Sequence, residues 1–503
     1  MPSPKTAKRP SPTPSWQDDE DLVLREEEDG TLTVTGGLFE SNEANVAGAI
    51  YNADGATLTV DGVTFASNSS VNNVAGAINN RDGQVIITKS TFTGNDSGTK
   101  AGGAIYNASG NLSTLGAITI TGSTFEGNKA GNGGAVWNGF NGKVDITDST
   151  FKGNTALAED GLGQGGAITN ADQMTITDGS FANNTANYSG GAIYNGAHAA
   201  PGNASLTIDG TTFTGNSVTA TYSKDSTDPK KDNIAGGAIF NDTGAELNVK
   251  NATFTGNTSS LKGGAIFNRD GEVTITDSTF KGNSVPTSAG GAVLNESGNT
   301  GITGTITITG STFEGNTAGN GGAVWNGFNG KVDITASTFK SNTALVGIGQ
   351  GGAITNANQM SITGSTFEGN QAGKIGGAIF NAASGELNFK GTNTFTNNTA
   401  ADKANDIYNA GSITVVGGTT TLNSGLTQVG GEIFVNDGGT LDMASGSSLS
   451  FAEDSTLTID GGAFVADFGQ LLTDYATTNT ANGITDESII GTSGNLNLRL
   501  NGG

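Results

Sequence analysis

Elimination on an acidic polysaccharide needs a base, commonly Arg or Lys, beside a carboxylate-bound Ca2+, and glycoside hydrolysis needs carboxylates converging on one face. The polar residues of this 503-residue chain can be judged against those two demands. Between its terminal segments the only arginines are Arg81 and Arg269, each in an "NRDG" that reads as an exposed turn. The single histidine, His198 in "GAHAAPG", sits in an inserted loop with no Ser or Cys motif nearby. Asp145, Asp148, Asp277 and Asp333 are scattered, and no Asp-Asp pair falls within a repeated strand. The calcium nonapeptide pattern is also missing, which leaves Ca2+ only acidic loops such as "AEDGLGQ" at residues 158–164. No catalytic residue and no cofactor is therefore expected, with loop-bound Ca2+ as the one metal candidate.

What positions these residues is a repeat. In "GGAIFNRDGEVTITDSTFKGN", residues 263–283, three short alternating runs are separated by Asn, Asp and Gly turn residues. "F-x-x-N" recurs thirteen times, from Phe39 to Phe395, and "[AG]GA[IV]xN" twelve times, ending at Asn52, Asn80, Asn107, Asn138, Asn170, Asn195, Asn241, Asn268, Asn295, Asn326, Asn356 and Asn381. A worn copy ends at Asn409. A period near 26, no helical pattern and almost no proline predict an all-β, right-handed parallel β-helix. It should have three strands per coil, about thirteen motif-bearing coils and a few degenerate ones, stacked about 4.8 Å apart. A longer period overlies this one: residues 119–154 match residues 307–342 at all but three of 36 positions, at an offset of 188. The expected organisation is a Pro-rich and acidic flexible tail over 1–30, a duplicated six-coil block over 31–409, and degenerate coils with the C-terminal end over 410–503. The insertion "YSKDSTDPKKDN" at 222–233 reads as a surface loop joining the two copies.

Period-two alternation assigns the faces. The fourth position of "GGAIFN" is Ile or Val in all twelve copies, as a buried site demands. The sixth is the unvarying Asn, whose amide both donates and accepts, so stacked copies predict a structural hydrogen-bonded ladder. The fifth then points outward, and aromatics hold nine of its thirteen sites: Tyr51, Tyr106, Trp137, Tyr194, Phe240, Phe267, Trp325, Phe380 and Tyr408. Stacked at the coil spacing they predict an exposed aromatic stripe. Two readings stand: rings that glue their own ladder, or an apolar contact surface for a partner or sugar rings.

Composition narrows the partners. A net charge of −24 disfavours nucleic acid and anionic membranes, both of which need a cationic footprint. Cysteine is absent, so there is neither a disulfide framework nor a thiolate metal site. No apolar run approaches a membrane span, and the N-terminal segment lacks the apolar core of a secretory signal, so the export route is not specified.

The joint presence of "GGA[ILV]" and "FxxN" resembles the chlamydial polymorphic outer membrane proteins over residues 36–409. That resemblance implies an autotransporter passenger with a β-helical ectodomain acting as an adhesin at the outer membrane surface or outside the cell. Its partner would be a protein or glycan met by the side wall. A purely structural rod or fibre subunit, self-associating through the stripe, is the alternative, and a polysaccharide lyase or hydrolase is the weakest reading.

Overall fold

The computed structural model describes residues 30–466 apart from 53–54, 72, 110–114, 158–162, 197–203, 221–233, 299–300, 346, 348, 402 and 452–454. It also describes short strands at 5–6, 24–26 and 497–501. The expectations for the N-terminal tail, His198, the 222–233 insertion and most of "AEDGLGQ" fall outside these residues. Every described element is a strand, and apart from the antiparallel pairing of Thr399–Ala400 with Lys403–Ala404 the strands pair in parallel, building a right-handed β-solenoid of about 15 coils. The chain divides into two units, 1–260 with 264–273 and 261–263 with 274–503. The division falls within the second copy of the 188-residue repeat, past the 222–233 insertion.

One coil of the first unit shows how sequence becomes shape. The strands Val136–Asn138, Gly142–Thr147 and Thr150–Lys152 follow one another, and a fourth, two-residue strand, Thr155–Ala156, completes the turn. Val144, Ile146 and Phe151 are buried while Lys143, Asp145 and Lys152 face outward, so the pleat alone sorts the side chains. The register is strict: Val136 pairs with Ile105 and Ile168, Val144 with Ile118 and Met174, and Phe151 with Phe125 and Phe181. Ile and Val lead both because they fill the core and because branched side chains suit the pleated backbone.

The "GGA" motif has a steric cause. Its first glycine, such as Gly133 at φ +59°, occupies the left-handed region, which L side chains enter only at a cost. A Cβ on its second, such as Gly134, would run into Gly166 O of the next coil. The second position tolerates no side chain without opening the stack, whereas the first carries Ala75 at φ +66° in one copy.

Inside each unit runs a column of phenylalanines. In the first, Phe39, Phe65, Phe92, Phe125, Phe151, Phe181, Phe213 and Phe254 stack with ring centres 4.7 to 5.0 Å apart. In the second, Phe280 to Phe395 stack at 4.5 to 4.9 Å. Strand spacing thus sets a ring separation that lies within the favourable range for aromatic pairs.

Three polar columns satisfy the corners. In the first unit the sixth-position asparagines bond Nδ2 to Oδ1 from Asn52 to Asn268 at 2.7 to 2.9 Å. In the second they do so from Asn295 to Asn409 at 2.6 to 3.1 Å. Most also tie down the following turn, as Asn138 Nδ2 does at Gly142 O. The "FxxN" asparagines form a second column: Asn154 donates through N and Nδ2 to Asn184 Oδ1, and through Nδ2 to Phe125 O. A third column is made by hydroxyls. Ser90 N and Ser123 N donate to the Oγ of Ser123 and Ser149, while each serine Oγ donates to the carbonyl two residues back.

Past Asn409 the motif wears away but the pattern of coils continues. Gln428 Oε1 takes the place of an Asn carbonyl for Asn409 Nδ2, and Leu422 and Met443 follow Phe395 in the internal column. Asp406 closes the second asparagine column: its carboxylate accepts from Asn398 Nδ2, Ser424 N and Gly425 N. Burial pushes this carboxyl above the usual Asp range, against the pull of those donors.

Candidate functional site on the aromatic wall

The fifth-position residues line one outer wall, yet the structure does not leave all of them exposed. Tyr51, Tyr106 and Trp137 in the first unit, and Trp325, Phe380 and Tyr408 in the second, are half-buried. Tyr194, Phe240 and Phe267 are fully buried, so the expectation of a continuous exposed stripe is corrected. Pointing away from the core of the pleat is not the same as reaching water.

A polar network accounts for part of that covering. Tyr194 OH donates to Asp242 Oδ2, and Arg269 donates from Nε and Nη2 to Asp242 Oδ1 at 2.8 and 2.7 Å. The Arg269 guanidinium also lies over the Phe240 ring, 5.0 Å from its centre. Arg269 is therefore no freely solvated turn residue, contrary to the sequence reading. Burial, then the Asp242 charge, pushes the Tyr194 phenol well above its ordinary value, so it stays a neutral donor. Arg81, its counterpart in the first copy, is different: its side chain is 59% exposed and reaches Asp82 only at 3.9 Å through Nε.

The other candidate groups do not converge. Asp145 and Asp333 pair with Lys143 and Lys331 at 3.2 and 3.3 Å. Asp148 and Asp277 occupy left-handed turn positions. Among the described residues no three His, Cys, Asp or Glu side chains gather to hold a metal ion.

Two of the exposed apolar groups lie in the turns that follow the tryptophans. Tyr106 and Trp137 stack at 4.5 Å with planes 6° apart. Just beyond, in the turn "NGFNG", Phe140 is 54% exposed, and Leu115 in the adjacent coil is exposed as well. The turn is pinned from three sides. Gly139 N donates to Asn107 O at 2.7 Å, Ser109 N to Phe140 O at 2.9 Å, and Asn141 N to Asp172 Oδ2 at 2.9 Å. Burial raises the Asp172 carboxyl, and that last bond opposes the shift. In the second unit the same turn holds Phe328 at 56% exposure beside Trp325 and Ile302, with Ser297 N bonded to Phe328 O. These turn phenylalanines escaped the strand-based reading; the signal was a large apolar residue inside an Asn/Gly turn, where no alternation can bury it.

Comparison with known proteins now decides the repeat. The Chlamydia polymorphic membrane protein repeat matches residues 122–139, 178–196, 251–269, 310–327 and 364–382. Five segments of the chain thus match a polymorphic membrane protein-like repeat. Each matched segment runs from the Phe-x-x-Asn strand to the GGA strand, taking in one Phe of the internal column and one Asn of each amide column. Two solved structures are similar at the level of chain coverage. One is a TibA fragment hyper-glycosylated by TibC, 12% identical, covering 88% of this chain and 96% of that one, with a TM-score of 0.20. The other is a tailspike protein mutant of E. coli bacteriophage HK620 in complex with a hexasaccharide, 11% identical, covering 86% of this chain and 71% of that one, with a TM-score of 0.23. A comparison with curated protein sequences finds no match. Among the described residues no helix is long and apolar enough to cross a membrane.

Proposed function

We propose that this protein is a surface-displayed, adhesin-like β-helix that binds a protein or glycan partner through its side wall, at the aromatic corners of its two units. Its place would be the outer membrane surface or the extracellular space, in keeping with the polymorphic membrane protein repeats it carries. The observation behind the reading is the presentation of Phe140 and Phe328. Each is more than half exposed, held out by backbone hydrogen bonds and set beside a half-buried tryptophan. Large aromatics held rigidly at a surface are the usual anchors of an interface, because little side-chain entropy is lost when they are covered. The reading is one of binding rather than catalysis, and Asp145 and Asp333, on a different sheet from the aromatic residues, are each paired with a lysine.

Surface binding of the labelled full chain to host cells or immobilised glycans tests the proposal. The double variant Phe140→Ser, Phe328→Ser should unfold at the wild-type temperature and lose most of its binding. Undiminished binding by that well-folded variant would remove the corners from the argument.

A further inference from the structure

The repeat that builds asparagine columns also writes Asn-x-Ser/Thr sequons, the acceptor pattern for sugar transfer to a side-chain amide. Ten of them fall on described asparagines, and the fold treats these unequally. Asn68, Asn95, Asn107, Asn241, Asn257 and Asn295 are fully buried, and their amides donate within the columns. A sugar on any of them would have to break the stack. Asn251 is exposed, but its Nδ2 donates to Asp209 Oδ1 at 2.8 Å. Asn187 is half-buried, and Ser189, the hydroxyl of its sequon, is fully buried.

Among the described residues two sequons remain, one in each unit: Asn183-Asn184-Thr185 and Asn397-Asn398-Thr399. Both stand at the same corner of their coil, where the acceptor immediately precedes the asparagine of the "FxxN" column. Asn183 and Asn397 are exposed at φ +54° and +56°, and no hydrogen bond holds either side-chain amide. Thr185 and Thr399 open the short strands that follow and are half-buried, so amide and hydroxyl of each sequon both reach the surface. The Thr185 hydroxyl has Ser217 Oγ as a neighbour at 3.3 Å.

The fold itself does not require asparagine at these two corners. The matching corners of the other copy carry Gly369 and Gly215, at φ +61° and +62°, and glycine enters the left-handed region without steric cost. Asparagine is among the few other residues that tolerate it, so the acceptor can be placed there without unsettling the turn. Gly215 also lies beside Asn183 in the next coil, where a Cβ would meet Asn183 Oδ1. Column bonding thus accounts for Asn184 and Asn398, and it leaves the asparagine before each of them unexplained.

We propose that Asn183 and Asn397 are N-glycosylation acceptors of the folded chain, one in each unit. The donor is a sugar activated as its diphosphate ester and held by a separate transferase. Nδ2 attacks the anomeric carbon, and a C–N bond replaces the bond from that carbon to the diphosphate oxygen. The diphosphate leaves with the bonding electron pair, and the amide proton passes to a base of the transferase. Selectivity comes from folding, since in an unfolded chain the six column sequons would be equally open.

Peptide mapping by mass spectrometry, on the full chain isolated from its source cells, should find sugar at Asn183 and Asn397 and bare asparagine at the six column sequons. Bare asparagine at both sites, or sugar on a column residue such as Asn95, would overturn the assignment. In a second experiment the purified folded chain is treated with a soluble sequon-recognising N-glucosyltransferase and uridine diphosphate glucose. One hexose at each of the two sites is expected, with further hexoses only after unfolding in urea. Asn183→Gly, which installs the residue of the twin corner, should remove one hexose and leave the unfolding temperature unchanged or raised. Thr185→Ala should remove the same hexose while Asn183 stays exposed, which separates sequon recognition from simple accessibility. A folded chain that stays unlabelled while the unfolded chain accepts hexose, or a label at Asn183 that survives Thr185→Ala, would count equally against the proposal.

Discussion

Replacing Asn154 by Ala removes four hydrogen bonds through one small side chain. Its Oδ1 accepts from Asn128 N and Asn128 Nδ2 at 3.0 and 2.9 Å, and its Nδ2 donates to Phe125 O and Asn184 Oδ1, both at 3.0 Å. Some partners keep an alternative: Asn128 Nδ2 retains Phe92 O, and Asn184 Oδ1 retains the Asn154 backbone N–H. Asn128 N–H keeps nothing, and stranding a buried donor costs about 1–3 kcal/mol, while the remaining bonds are worth about 0.5–1.5 kcal/mol each. Even the low ends exceed roughly 2 kcal/mol, which corresponds to about a 30-fold rise in local opening. Because each coil of a solenoid contacts only its neighbours, the loss should be read locally. Hydrogen exchange should therefore quicken at the Asn128 amide and in the adjoining coils, with distant coils unaffected. Asn342→Ala should give a matching result in the second unit, where Asn342 makes the same set of bonds to Asn316, Phe313 and Asn370. Lys152→Ala, on the exposed face of the neighbouring strand, is the control that should change nothing. Exchange at Asn128 within a factor of two of wild type would refute the view that these amides carry the stack.

The glycines of the first unit predict a contrast: Gly134→Ala, whose Cβ would strike Gly166 O, should not yield folded protein. Gly153→Ala, at φ +62° with nothing within 4 Å of a Cβ, should fold and lose only about 1–2 kcal/mol. A folded Gly134→Ala protein in circular dichroism would mean that coil spacing is softer than the geometry demands. For Asp406 the linkage is one of a raised folded-state pKa, so its contribution to stability is full below about 3.8 and falls as pH rises through the raised value. Asp406→Asn should flatten that part of the pH dependence of the unfolding midpoint, even though its amide suits the Ser424 and Gly425 N–H groups less well. Identical slopes for variant and wild type would remove Asp406 as the cause.

The asparagine columns were legible because ladder and sequence share one periodicity: a residue needed at every coil appears in every motif, as Asn52 to Asn381 do. The same logic exposed the inward Ile and Val. It failed for Tyr194, Phe240 and Phe267, whose burial is shared with partners on other coils. Asp242, the acceptor for Tyr194, lies 48 residues along the chain, a distance no local alternation can register. The serine column was overlooked for a different reason. Ser90, Ser123 and Ser149 sit in turns, where a hydroxyl reads as ordinary turn chemistry, and only the stacking reveals that each accepts from the coil before.

Duplication within the chain separates what the fold requires from what it permits. Val136 and Val324, Asn138 and Asn326, and Asn154 and Asn342 are matched pairs, and each member makes the same kind of contact in its own unit. Some outward positions differ instead: Asn79 against Phe267 and Tyr106 against Leu294. The inner residues are held by sterics and hydrogen bonding, because a change at one coil leaves the next coil's donor or ring unmatched. An outward residue is not part of the inner columns, so Asn at 79 and Phe at 267 can occupy equivalent places above the same asparagine ladder. The two copies therefore share one scaffold and the same aromatic corners, while their walls differ at positions such as 79 and 267, and only a partner that reads those positions should distinguish them.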